Sequence, residues 1–197
     1  MARDYVLRRI ALLPDWRVLD IGPGAMPLTG EQVWYLDRDK TMLANLPADR
    51  VIRADLNHLP LPLRDQEFDF VYCSHVMEHV DDPVAFAAEL CRIAPRGIVV
   101  TPHAFKDAIF NFEDCTHCWW FFPPLAPGSP MRAMRTDMAL IESLRDFNAQ
   151  LAICRVYRTE PQMSRDHDIL NRWTKEHEVD MDVIVPWEGE LRVEIIE

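Results

Sequence analysis

Short apolar runs alternate with amphipathic stretches along the first hundred residues. Val18–Ile21 (VLDI), Val33–Leu36, Val51–Arg53, Phe68–Cys73 (FDFVYC) and Ile98–Thr101 (IVVT) have the length and β-branched content of buried strands. Asp39 to Leu46 reads as a short helix with Pro47 just past its end. DPVAFAAELCRIA reads as a longer helix, with Asp82 as N-cap, Pro83 as first helical residue and Pro95-Arg96-Gly97 as its stop. Strands alternating with helices predict a parallel sheet covered on both faces.

The second half is less regular. Residues 103 to about 135 are rich in aromatics and prolines (FNFEDCTHCWWFFPPLAPGSP). Thr136–Phe147 and Asp166–Glu178 have helical spacing, and MDVIVPWEGELRVEII reads as two strands around a Glu-Gly turn, a hairpin. A structureless excursion from 103 to 180 would be uncommon in a domain of this size, so a lid or cap is expected there. Tyr5, Val6, Ile10 and Leu13 suit an amphipathic N-terminal helix. The fold expected is α/β, Rossmann-like and doubly wound. Its mostly parallel seven-stranded sheet ends in an antiparallel hairpin, and one domain over 1–197 carries 103–180 as an insertion after strand five.

A net charge of −11 turns the chain away from nucleic-acid backbones, which need a basic face. No apolar run approaches a membrane span, and the first sixteen residues lack a signal-peptide core, so a cytoplasmic setting with no membrane partner is expected. The five cysteines are scattered, which fits reduced thiols.

The chemistry gathers where strands end. Asp20 closes the first strand, before Gly22 and Gly24 in VLDIGPGAMP. Asp37 ends the second strand and Asp55 follows the third. In a doubly wound sheet, ligands lie across the carboxyl ends of the strands, so these groups should share one edge. Glycines let the backbone approach a ligand, and a carboxylate such as Asp37 can accept from both hydroxyls of a ribose. Asp55 can accept from an exocyclic adenine amine. The third glycine of a dinucleotide fingerprint is replaced by Pro27, which disfavours a pyrophosphate and a nicotinamide-dependent oxidoreductase. A cofactor with an adenosine but no pyrophosphate fits better.

VLDIGPG, YLDRD, the long block ADLNHLPLPLRDQEFDFVYCSHVMEHVDDPVAFAAELCRI and GIVVTP resemble class I S-adenosylmethionine-dependent methyltransferases, most closely the type 11 group. The resemblance covers about residues 15–102; HCWWF and PWEGELRVEI are similar to one bacterial branch. It implies S-adenosylmethionine as cofactor. Gly22 and Gly24, with Asp20 nearby, would hold its methionine end and Asp37 its ribose. Asp55 and Leu56 would flank the adenine, and Ser74 and His75 would lie near the sulfonium. The resemblance departs at Ala25-Met26-Pro27, where most members have a further glycine.

His75 and His117 are the candidate catalytic residues, as bases for an acceptor that must lose a proton. His79 is expected to make an ordinary helix or loop contact. Cys115-Thr116-His117-Cys118 is a lone half-site without a second C-x-x-C, so no metal is expected. SHVME after the fourth strand is not the motif of amino-group methylation on nucleic acid. The expected reaction is methyl transfer to a small-molecule or sugar acceptor, at a hydroxyl. The alternative is a catalytically degenerate member of the fold that binds cofactor or a partner.

Overall fold

The computed structural model describes residues 15–104, 106–107, 116–137, 139–140 and 182–197. Five parallel strands form one sheet: β1 (Val18–Ile21), β2 (Val33–Asp37), β3 (Val51–Arg53), β4 (Phe70–Ser74) and β5 (Arg96–Pro102). β6 (Trp119–Phe122) and β7 (Met131–Arg135) follow, then β8 (Asp182–Glu188) and β9 (Val193–Ile195). The main sheet runs β3-β2-β1-β4-β5-β8, with β8 antiparallel to β5. Chain order reverses between β1 and β4, and such a switch point opens a crevice at the carboxyl ends of the strands.

Alternation along the strands builds a core on each face. Leu19, Ile21, Val71, Cys73 and Val99 join one cluster; Val18, Tyr35, Phe70, Tyr72, Ile98 and Val100 join the other. Helix α2 (Pro83–Ile93) follows the short α1 (Lys40–Leu43) and packs Phe86, Leu90 and Ile93 into the first cluster. Burial of each such side chain contributes about 1.5–3 kcal/mol. Asp82 caps α2 by accepting from the Val84 and Ala85 amides at 3.0 and 2.9 Å. α1 is shorter than the span expected, with Asp39 capping it through the Thr41 amide.

The block that precedes β4 is strapped to α2. Glu89 accepts from the Leu61 amide at 2.7 Å and pairs with Arg92, whose guanidinium also donates to the Leu63 carbonyl and to Asp65. This accounts for a polar pair on an otherwise apolar helix face.

β5 begins at Arg96, two residues earlier than expected. Gly97 was read as part of a helix stop, but its lack of a side chain serves strand packing. A Cβ there would lie 2.5 Å from the Val71 carbonyl oxygen and 2.8 Å from Trp187 Cζ2.

The C-terminal hairpin is corrected. Among the described residues the main sheet has six strands, and β9 does not pair with β8. It lies parallel to β7 in a second sheet, β6-β7-β9. The turn at Gly189 is present, but the chain then leaves the first sheet. The Gly189 amide donates to the Pro95 carbonyl, and Leu191 is buried in the core. Pro186 within β8 lacks an amide donor, which suits an edge strand.

β6 and β7 were not legible as strands. Trp119, Phe121, Met131 and Ala133 are buried in the core cluster that also holds α2, so this described part of the expected insertion is integral to the domain. Asp137 accepts from the Ala139 and Leu140 amides, as the N-cap of a helix at 136–147 would. The rest of that helix, the helix at 166–178, the N-terminal helix, Cys115 and Cys154 lie outside the described residues.

Candidate active site

A cleft of about 460 Å³ opens at the switch point. That volume falls within the range of small-molecule sites. Gly22, Gly24, Asp37, Asp55, Leu56 and His75 all line it, although they come from the ends of four different elements.

The glycine loop owes its shape to two contacts. Gly22 has φ +63°, and a Cβ there would collide with Val76 Cγ2. Only glycine meets both demands. Asp20 does not line the cleft. It is fully buried, and its Oδ2 accepts from the Leu28 amide at 2.7 Å, while the Tyr35 hydroxyl donates to the Leu28 carbonyl at 2.8 Å. The return limb of the loop is therefore pinned from behind, which is where the loop departs from the glycine pattern at Ala25-Met26-Pro27.

On the opposite wall, Asp37 Oδ1 accepts from the Asp39 amide at 2.8 Å. Asp55 Oδ1 accepts from the Asn57 amide at 3.1 Å, and its Oδ2 lies 3.6 Å from His58 Nδ1 and 4.0 Å from Arg38 Nη1. Asn57, which the sequence did not single out, also lines the cleft, and its side chain accepts from the Asp81 amide at 2.9 Å. It links the loop after β3 to the start of α2.

His75 follows β4 with φ +56°, a conformation uncommon outside glycine but tolerated by histidine. Its amide donates to the Val100 carbonyl at 2.8 Å. Its Nδ1 is 3.1 Å from Ser74 Oγ, and its Nε2 is 3.7 Å from Asp182 Oδ1. Ser74 itself is not on the cleft wall and reaches it through His75. Asp182 is buried and bonded to Lys106 Nζ at 2.6 Å.

His117 is not on the wall either. It stands behind His79, ring centroids 4.6 Å apart and nearly perpendicular, and its Nδ1 is 2.6 Å from Asp107 Oδ1. Burial disfavours its charged form, but the Asp107 hydrogen bond and charge outweigh that and raise its pKa. His79 lines the cleft, with Nδ1 3.2 Å from the Thr116 carbonyl oxygen, the loop contact expected; burial lowers its pKa. Glu78 is buried beside both rings, and burial pushes its carboxyl up to about 8. No spacing rule would have joined Glu78 and His79 to His117 across nearly forty residues.

The residues from β1 through β5 match the family described as a methyltransferase domain, over positions 19–101. Residues 19–101 are similar to the methyltransferase domains of the type 11 family. The methyl donor of this domain type is S-adenosylmethionine, and the lining fits it: glycine backbone at one end, a carboxylate at the end of β2, and Ala54 and Leu56 as apolar wall beyond. No curated protein matches the chain. Solved structures similar to this methyltransferase domain include the YcgJ protein of Bacillus subtilis. It is 20% identical over 59% of this chain and 60% of that one, with a TM-score of 0.47. A methyltransferase described as putative from Bacillus halodurans is 20% identical over 58% of this chain and 60% of that one, TM-score 0.46. An S-adenosylmethionine-dependent methyltransferase from Mesorhizobium loti is 26% identical over 55% and 57%, TM-score 0.45. The chain thus spans less than two thirds of the length of these relatives. No described helix is long and apolar enough to cross a membrane.

Proposed function

We propose that the chain is an S-adenosylmethionine-dependent methyltransferase acting on a hydroxyl of a small-molecule or sugar acceptor. The observation that carries the reading is the convergence of Gly22, Asp37, Asp55 and His75 on one cleft at the switch point. In this reading the Gly22 and Gly24 amides hold the amino-acid end of the cofactor, and Asp37 accepts from the ribose hydroxyls. Asp55 and Leu56 bracket the adenine. The bound cofactor supplies a methyl group on a sulfonium, a leaving group that needs no protonation.

The chain's own work is alignment, exclusion of water and handling of one proton. Asp182 beside Nε2 favours the His75 tautomer with the proton on that nitrogen, leaving the Nδ1 lone pair to accept from the Ser74 hydroxyl. An acceptor hydroxyl entering the cleft would take the place of Ser74 and give its proton to Nδ1. His117, held by Asp107 behind His79, supports this corner in the same reading. The insertion at 103–180 serves as the cap over it, within one domain over 1–197. The net charge of −11 supports an acceptor other than nucleic acid.

Calorimetric titration with S-adenosylhomocysteine tests the reading. Micromolar binding that Asp37→Ala abolishes is the expected result. Absence of binding to the wild-type chain would remove the cofactor assignment and leave a degenerate fold.

A further inference from the structure

Beside the cleft lies a cluster of donor atoms from which the methyl-transfer reading draws only His117, as a support. Glu78, His79 and His117 each present one ligand atom, and these atoms lie within 4.8 Å of one another. Glu78 is 1% exposed, and neither of its carboxylate oxygens has a hydrogen-bond partner among the described residues. A buried carboxylate without a partner is costly, and such groups are usually paired or bound to a metal.

The two rings carry the outer hydrogen bonds that metal-binding histidines use. His117 Nδ1 is bonded to a carboxylate, Asp107 Oδ1, at 2.6 Å, and His79 Nδ1 to a backbone carbonyl, that of Thr116, at 3.2 Å. Both acceptors place the ring proton on Nδ1 and leave the Nε2 lone pair free, the arrangement that fixes tautomer and ring direction in metal sites. Asp107 is itself 5% exposed, so the outer partner is as firmly held as the ring.

We infer that Glu78, His79 and His117 form a binding site for one divalent transition-metal ion, with Asp107 and the Thr116 carbonyl as its outer support. Two imidazoles and one carboxylate make a zinc-class donor set, whereas magnesium and calcium prefer oxygen alone. Metal–ligand bonds of about 2.0–2.2 Å require donors about 3.3 Å apart in a tetrahedral site, so the side chains close in by small rotations when the ion enters. Three protein donors leave a coordination position open. His79 is also part of the cleft wall, so the site adjoins the cleft. The assignment goes beyond methyl transfer and does not depend on it.

The test is a titration of the full chain, stripped with chelator, against zinc chloride and against magnesium chloride. Cobalt chloride serves as a spectroscopic probe. The expected result is one zinc per chain, no comparable magnesium binding, and a cobalt visible spectrum of nitrogen–oxygen ligation in four or five coordination. Glu78→Gln and His117→Asn should each weaken zinc at least tenfold with the circular dichroism spectrum unchanged. Asp107→Asn should weaken it about 10–100-fold, as loss of an outer-shell partner does. Cys118→Ser should change nothing. Absence of saturable zinc binding would overturn the site. So would binding that survives both ligand variants, or binding lost with Cys118→Ser. If a ligand variant loses its fold, the cobalt spectrum of the wild-type chain decides: thiolate charge-transfer bands overturn the assignment, and their absence with visible bands supports it. S-adenosylhomocysteine titration is a separate reading, so failure of the cofactor assignment and failure of the metal site would be told apart.

Discussion

Asp20 and Leu28 are joined across the glycine loop by a buried hydrogen bond of 2.7 Å from the Leu28 amide to the carboxylate. The bond makes a strand end and a loop return into one rigid unit. It explains how the loop keeps its shape with Pro27 where a third glycine is usual.

Asp20→Ala removes this acceptor and leaves the Leu28 amide buried without it. A loss of about 1–3 kcal/mol is expected. Urea denaturation reads it as a lower midpoint at unchanged slope, and an unchanged midpoint would show that the loop is held elsewhere.

Gly22→Ala meets two obstacles, the positive φ and the Val76 methyl. S-adenosylhomocysteine affinity should fall at least tenfold, and the melting temperature should drop. Adding Val76→Ala removes the steric part only, so the double variant should recover some stability but not all. Full recovery would mean that the backbone conformation at Gly22 costs nothing.

The strap between α2 and the loop before β4 predicts a pH dependence. The Arg92 hydrogen bonds beside Glu89 hold its carboxyl below the ordinary range near 4.5. A depressed carboxylate stabilises the fold at neutral pH, and that contribution is lost as pH falls through the depressed value. Glu89→Gln should therefore lower the melting temperature at pH 7, and the gap to wild type should close as pH falls through that depressed value. A gap that stays constant into acid would assign the effect to packing instead of charge.

Trp119 donates its indole N–H to the Val80 carbonyl at 2.9 Å while its ring lies in the core. Trp119→Phe keeps most of the apolar area and orphans a carbonyl. A destabilisation of about 1–3 kcal/mol is expected, measurable by chemical denaturation.

The first hundred residues were readable because their signals are local. Apolar runs of strand length, the Asp82-Pro83 helix start and the acidic strand ends each carry their meaning within a few positions. Asp37, Asp55 and His75 could be placed on one edge because parallel topology puts every strand end there. What could not be read depends on partners far away in sequence. Trp119–Phe122 is a strand only because Met131–Arg135 lies opposite it. Val193–Ile195 follows a genuine turn but joins β7, because Leu191 is drawn into the core. Asp20 is expected near the cofactor and lies outside the cleft lining, with its Oδ2 bonded to the Leu28 amide, a placement that rests on which way a buried carboxylate faces. Glu78 was invisible as chemistry, since its meaning comes from burial and from His117.

β8 runs against its neighbour, and Pro102 at the end of β5 pairs with Asp182 at its start. The chain therefore departs from and re-enters the sheet at one doorstep, the rim of the cleft. The described stretch between those positions turns back on the domain: β6 and β7 pack into the main core, and β7 takes β9 as its parallel neighbour. The rim and the second sheet are therefore mechanically one piece, and a change in either is felt by the other.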